Sequence, residues 1–320
     1  METETYAFQE DILGYPYEQA RLDLPDDYEG SVHAVLVRKK APLESKKAVL
    51  YVHGYIDYFF QTEMADQFNM HGYHFYALDL RKYGRAHLSH QGYYRVRNLK
   101  EYDEEINRSL AIMKQEGHDS VILCGHSTGG LVLTYFAARH PNHPLVKGLW
   151  CNSPFYDFNV GSLTKTIGIP LVSALATLFP NLPIPNGMNA QYAKSLHQEH
   201  KGEWNFDLTW KPLDYTYSDA SFIRAVHQAQ RYIQQGVHLT VPTLIMHGAQ
   251  SSFSKKWDKH SQSSDLVLNV RDIARYANKL KGDITILPIE NGIHDLVLSK
   301  EEVRTQVYLA LFAWLRKKEL

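Results

Sequence analysis

The chain has 320 residues, 44% of them hydrophobic and 22% charged, enough to bury the core of one large α/β domain with an insertion or of two ordinary domains. Lysine plus arginine (34) against aspartate plus glutamate (35) leaves a formal charge of −1, which offers a polyanion no attractive field and excludes nucleic acid as an expected partner. The acidic opening METETYAFQED is unlike a signal peptide, and no apolar run nears the roughly 18 to 20 residues that span a bilayer, so a cytoplasmic protein with no transmembrane segment is expected.

In chain order, YEQARLDL (17–24) and SVHAVLVRK (31–39) alternate as a half-exposed antiparallel pair would. AVLYVHG (48–54), HFYALDL (74–80), SVILCG (120–125), GLWCNS (148–153), TLIMHG (243–248) and DITILPI (283–289) follow, and several of them contain the unbroken apolar runs of parallel strands covered on both faces. Segments of helical spacing intervene, among them LKEYDEEINRSLAIMKQEG before the fifth strand and LVLTYFAARH after it. The expected fold is α/β: a mostly parallel, eight-stranded, doubly wound sheet with an antiparallel N-terminal edge. Between the sixth and seventh strands no strand periodicity appears. Residues 154–238 are therefore expected to form a helical cap inserted into a core of residues 1–153 and 239–320.

Several features along the way carry ordinary expectations. Arg81, Lys82 and Arg85 in DLRKYGRAHLSH should be salt-bridged or solvated rather than grip phosphate. Cys124 and Cys151 each close a strand, which favours buried reduced thiols over a disulfide. His197 and His200 are three apart on a helix, but no third ligand accompanies them, so no metal is expected. The run from Ile167 to Phe179 is too short to span a membrane; packing against the core, lining an acyl tunnel from above and transient contact with a membrane surface all stay open.

The sharpest signal is Gly125-His126-Ser127-Thr128-Gly129, where a buried strand runs straight into a helix. Such a turn needs small residues on both sides of the serine, pushes its Oγ outward, and places the Thr128 amide at a helix N-terminus, where developing negative charge is stabilised. A serine hydroxyl at such a turn needs a base, and the base needs an orienting acid. His294, in PIENGIHDLVL after the last strand, would stand at the same carboxyl edge of the sheet, and the acid should follow the seventh strand. His126 adjoins the serine but should point away from it, into packing or a hydrogen bond rather than base duty.

His53-Gly54 after the third strand, the serine turn after the fifth, an inserted cap, Pro242 before TLIMHG, and Gly292-Ile293-His294 together resemble the α/β-hydrolase superfamily. The likeness is to the branch of monoacylglycerol lipases, lysophospholipases and serine aminopeptidases, and it covers about residues 30 to 315. The resemblance implies an oxyanion hole from the amides of Tyr55 and Thr128, with His53 and Gly54 shaping the loop. The chain departs from that family in two places. The acid usually follows as His-Gly-x-x-Asp, but here His247-Gly248-Ala249-Gln250 leads to Ser251. Asp265, followed by a short apolar turn and Asn269 as N-cap of RDIARYANKL, reproduces the family's order of acid, turn and helix; Asp258 is the alternative. The second departure is HGYIDYFFQ, in which Tyr55, Asp57, Tyr58 and Phe59 can shape a different acyl pocket.

The expected protein is a serine hydrolase of a small acyl ester, with Ser127, Asp265 and His294 as triad and no cofactor. Trp204, Phe206, Trp210, Tyr215 and Tyr217 of the cap offer aromatic area for an acyl or aryl group or for the cap's own core. Rival readings are an aminopeptidase or thioesterase on the same triad, and a binding protein without turnover. An aminopeptidase needs a carboxylate in the cap to hold the substrate amine, and Glu199, Glu203 and Asp207 are the candidates.

Overall fold

The structure is a computed structural model describing residues 6–320. Its strands are β1 (Gln9–Glu10), β2 (Glu18–Asp27), β3 (Gly30–Lys39), β4 (Lys47–Val52), β5 (His74–Asp79), β6 (Ser120–His126), β7 (Val146–Asn152), β8 (Pro183–Pro185), β9 (Tyr217–Asp219), β10 (Thr243–Gly248) and β11 (Ile284–Ile289). Nine of them form one sheet in the order β1-β2-β3-β5-β4-β6-β7-β10-β11. The eight expected strands are all present; the ninth is the two-residue β1, too short for any periodicity, pairing antiparallel with β2 at Gln9↔Gln19. β2, β3 and β5 pair antiparallel, and from β5 through β11 every neighbouring pair is parallel.

The helices are α1 (Thr62–Met70), α2 (Asp103–Gln115), α3 (Thr128–Arg139), α4 (Ile169–Leu175), α5 (Ala190–Leu196), α6 (Ala220–Ile233), α7 (Val270–Ala277) and α8 (Glu301–Lys317). Alternation along β4 splits the core: Leu50 and Val52 join the layer of α2, α3, α6 and α7, while Val49 and Tyr51 join that of α1 and α8. β4 runs on into α1 on one face of the sheet and its neighbour β6 into α3 on the other, so the diverging connections open a crevice between the carboxyl ends of β4 and β6. That crevice positions the site.

Between β7 and β10 the chain forms α4, a short antiparallel ribbon of β8 and β9, α5 and α6. The ribbon was not legible as strand because Pro183-Ile184-Pro185 carries proline at two of its three positions. Helix α6 packs on both α3 and α4 and fastens the inserted segment to the core. Among the described residues, no helix is long and apolar enough to cross a membrane.

Candidate active site

β6 ends at His126 and α3 begins at Thr128, so Ser127 alone makes the turn, at φ 51° and ψ −113°. That left-handed conformation is strained for a residue with a Cβ. The two glycines permit it. A Cβ on Gly125 would stand 2.5 Å from the Gly129 carbonyl oxygen, and one on Gly129 would stand 2.2 Å from that of Val52, so strand, turn and helix touch through backbone. The Ser127 amide donates to the Asn152 carbonyl at 2.9 Å, which locks the turn to β7.

Ser127 Oγ lies 2.9 Å from His294 Nε2, and His294 Nδ1 lies 2.8 Å from Asp265 Oδ2. All three are buried, at 7%, 3% and 0% exposure. The other carboxylate oxygen of Asp265 accepts the amides of Val267 and Leu268, each at 2.8 Å, which fixes the carboxylate plane. Asp265 reaches this place although it stands far beyond β10, because residues 252–264 loop out and close at their base: the Asp265 amide donates to the Gln250 carbonyl and the Ser252 amide to the Asp265 carbonyl, each at 2.9 Å. Asn269 caps α7, its side chain accepting the Arg271 amide. Asp258 is not brought to His294. Its carboxylate accepts the His260 amide at 2.8 Å within the excursion, and that bond holds its pKa below the usual carboxylate range.

The backbone at Gly54 runs against the turn, since a Cβ there would meet His126 Cδ2 at 3.0 Å and Ser127 Cβ at 3.3 Å. His53 braces this loop: Nδ1 donates to the Gly54 carbonyl at 2.8 Å while Nε2 accepts the Leu80 amide at 3.1 Å, partners that assign the tautomer. Burial lowers the His53 pKa and keeps the ring neutral. Asp79 accepts the Phe59 amide and pairs with Arg85, which also bonds Asp11. Arg81 pairs with Glu105, and Lys82 with Asp27 and Glu29. These cations are structural, as expected. Thr128 is the first residue of α3, so its amide has no acceptor within the helix. The Tyr55 ring stacks on Phe222 at 3.9 Å, and its hydroxyl donates to Ser218 of the inserted segment.

Above Ser127 opens a chamber of about 820 Å³, walled by Phe155, Phe158, Ile169, Val172, Phe222 and Ile223 among others. Its polar lining includes Asp57, His126 and Lys211, and the Lys211 ammonium donates to Asp57 Oδ1 at 2.8 Å. Of the four residues expected to reshape the pocket, Tyr55 and Asp57 line it. Phe59 lies in the core and the Tyr58 hydroxyl accepts the Asp207 amide.

The five aromatic residues expected to offer area to an acyl or aryl group do not line the chamber. Trp204 donates to the Leu298 carbonyl, Phe206 packs on Phe60, Trp210 on Tyr58 and Tyr215 on Tyr55, while Tyr217 is exposed. The apolar walls come instead from α4, α6 and the segment after β7. His197 is occupied by backbone partners, the Phe206 carbonyl and the Glu199 amide, rather than by a ligand shared with His200. Cys124 and Cys151 are buried free thiols.

Sequence reasoning missed the polar cluster beneath His294. Asp295 Oδ1 accepts from Asn152 at 2.7 Å and Oδ2 from Gln61 at 3.3 Å; the Asp295 amide donates to the Tyr192 hydroxyl, whose ring meets that of His294 edge to face. Burial raises the Asp295 pKa. Burial and neighbouring His294 push the His126 pKa well down and keep its ring neutral. Asp57, His126 and Asp295 bring ligand atoms within 4.8 Å of one another, a spacing that would admit a cation. Lys211 already supplies a positive charge there, and side-chain amides occupy Asp295. The only local hint of this cluster was Asp295 directly after His294.

The sequence pattern of the family described as serine aminopeptidase, S33, matches residues 43–300. No curated protein matches the sequence significantly. Among solved structures, a soluble variant of monoglyceride lipase from Saccharomyces cerevisiae, in complex with a substrate analogue, superposes with a TM-score of 0.65 at 17% identity, covering 99% of this chain and 96% of that one. The monoacylglycerol lipase of Paleococcus ferrophilus gives 0.64 at 20% identity, over 88% and 99% of the two chains. Est1E of Butyrivibrio proteoclasticus, solved with ferulic acid bound, gives 0.56 at 15%, over 90% and 96%. At these identities the likeness is one of fold.

Proposed function

Because the chain belongs to the serine aminopeptidase S33 family of α/β-hydrolases, we propose that it is a serine hydrolase cleaving carboxylic esters that join an apolar acyl chain to a small polar alcohol, as in a monoacylglycerol or lysophospholipid. The observation that carries this reading is the unbroken line from Ser127 Oγ through His294 to Asp265 at the floor of the chamber. Ser127 Oγ attacks the ester carbonyl while His294 Nε2 takes its proton, and Asp265 holds the imidazolium through Nδ1–H. The tetrahedral oxyanion is received by the amides of Tyr55 and Thr128. Collapse breaks the bond to the alcohol, which leaves with the proton from His294. Water, deprotonated by His294, then releases the acid and restores Ser127.

The substrate class rests on the chamber's mixed lining. Its apolar walls suit an acyl chain, and Asp57, Lys211 and His126 suit hydroxyl groups on the alcohol. Residues 154–238 act as the cap that supplies most of the walls. The aminopeptidase reading lacks its amine-holding group. Glu203 pairs with Arg304, Asp207 accepts the Thr209 amide, Glu199 is exposed, and among the described residues lining the chamber Asp57 is the only carboxylate, already matched by Lys211.

The test is labelling with a fluorophosphonate probe, followed by turnover of p-nitrophenyl esters of graded chain length, the matching thioesters and aminoacyl p-nitroanilides. We expect Ser127-dependent labelling and turnover of the esters above both other classes. No labelling, or labelling that survives Ser127→Ala, would remove Ser127 as nucleophile.

A further inference from the structure

The loop from His53 to Tyr58 is fixed by the core only at its two ends. Up to Gly54 it is held by the His53 ring and by the close approach of Gly54 to the serine turn. The core takes hold again at Phe59, whose amide donates to Asp79. Between them, among the described residues, no hydrogen bond between main-chain groups reaches residues 55–58. Ile56 sits there at φ 54°, buried at 4% exposure. A β-branched residue in the left-handed region is strained and persists only where its surroundings hold it. Relaxing that φ would swing the Tyr55–Ile56 peptide, the unit next to the one that carries the Tyr55 amide.

The groups that hold this stretch come from the inserted segment. Phe222 and Ser218 take the Tyr55 ring and hydroxyl. The Lys211 ammonium donates to Asp57 Oδ1, which also accepts the Tyr58 amide at 3.0 Å, and the Asp207 amide donates to the Tyr58 hydroxyl at 2.7 Å. Asp207 and Lys211 belong to a single turn: the Lys211 amide donates to the Asp207 carbonyl at 2.9 Å, and the Asp207 carboxylate accepts the Thr209 amide. The Trp210 carbonyl of that turn accepts the hydroxyl of Tyr94, which stands in the connection after β5, at 3.0 Å. The turn is thereby fixed against the core and delivers two pins to the loop. Lys211 and Asp57 are both buried, and a buried charge left without its partner is costly, so the pair keeps its geometry.

We propose that Lys211 is a positioning residue of the oxyanion hole: through Asp57 it pins residues 55–58, so that the Tyr55 amide keeps the place the developing oxyanion requires. The proposal rests on the ester-hydrolase reading and gives the inserted segment a second duty, ordering a catalytic loop as well as walling the chamber. A donor aimed at developing charge acts most strongly when the protein holds it in place beforehand. An ion pair that served the fold alone could be exchanged for an apolar pair with no effect on rate.

That exchange is the test. Lys211→Met/Asp57→Leu, checked for fold by thermal unfolding, is assayed with p-nitrophenyl butyrate, whose leaving group carries no aliphatic hydroxyl for these side chains to recognise. kcat should fall about tenfold to a hundredfold at a KM within about twofold, and the rate of fluorophosphonate labelling should fall by a similar factor, because the phosphoryl oxygen uses the same hole. Asp57→Asn keeps Oδ1, the oxygen both donors use, and alters Oδ2, which has no hydrogen-bond partner among the described residues; it should lose only about threefold in kcat. Tyr58→Phe removes the second pin, keeps the ring and should also lose about threefold. Three results overturn the proposal: a folded double variant with kcat within threefold of wild type, a loss carried by KM while labelling keeps its wild-type rate, or Asp57→Asn falling as far as the double variant. Should the double variant unfold, wild-type kcat in both Asp57→Asn and Tyr58→Phe overturns it. Absence of Ser127-dependent labelling in the wild type is a separate result, which removes the ester-hydrolase reading and this proposal with it.

Discussion

Replacing Asp265 by asparagine probes the arrangement around His294 at its most specific point. The amides of Val267 and Leu268 both donate to Asp265 Oδ1, so in Asp265→Asn they hold the new carbonyl oxygen in that position and turn the NH₂ toward His294 Nδ1. An NH₂ can only donate there. The imidazole must then carry its proton on Nε2, facing Ser127, where it cannot accept another. Turning the amide over sacrifices two hydrogen bonds at about 1 kcal/mol each, so about one molecule in thirty holds the productive tautomer. The missing carboxylate charge removes about 4 kcal/mol more from the imidazolium, taking charges about 4 Å apart at an effective dielectric near 20. Together these come close to the loss of about 10⁴ in kcat seen for the equivalent change in a serine protease. Measured as kcat at saturating p-nitrophenyl ester, Asp265→Asn should fall by about that factor, and Asp258→Asn should stay within about twofold of wild type. Asp265→Asn within tenfold of wild type, or a collapse in Asp258→Asn, would refute the assignment of the acid.

Three further outcomes are expected. His33 on β3 is held at about 4, first by burial and then by Arg21, against about 6.5 when unfolded. The unfolded chain therefore takes up that proton first, so the contribution of His33 is complete above about pH 6.5 and is lost as pH falls toward 4, by up to about 3 kcal/mol. Urea unfolding at both ends of that window should show a shallower acid loss in His33→Gln, and an unchanged slope would discount the residue. Lys211→Met strands the buried Asp57 carboxylate and should cost about 3–5 kcal/mol, most of it recovered in Lys211→Met/Asp57→Leu; a double variant as unstable as the single would show the pair to be uncoupled. Gly129→Ala drives a Cβ against the Val52 and His53 carbonyl oxygens and should cost about 3 kcal/mol or more, with a fall in kcat as the Thr128 amide shifts; wild-type stability and rate would mean the helix can slide freely on β4.

The main sheet was legible because β4, β6 and β10 carry the unbroken apolar runs of strands covered on both faces, while β2 alternates between buried and exposed residues. Ser127 was legible because a one-residue turn needs glycine on either side, a constraint written within five residues. Asp265 emerged from the order of acid, apolar turn and N-cap, although nothing local reveals that the chain returns to Gln250. What escaped depends on distance along the chain. Lys211 and Asp57 are 154 residues apart, and a lone lysine among cap aromatics carries no mark of its partner. The cap aromatics themselves were ambiguous because a ring against the core and a ring against a ligand have the same composition, and only the packing directs them to Phe60, Tyr58 and Tyr55.

The closed base of the 252–264 excursion separates two things that chain connectivity would otherwise bind together. With Gln250, Ser252 and Asp265 hydrogen-bonded at the neck, the residues inside can change in number while the carboxylate stays where His294 needs it. The entropy of closing a loop grows only with the logarithm of its length, and a doubling costs about 0.6 kcal/mol. Insertions and deletions there should therefore leave the Asp265–His294 contact nearly unchanged. The neck gives this protein a place where natural variation, or an engineer grafting a foreign peptide, can rewrite what surrounds the chamber's entrance without retuning the residues at its floor.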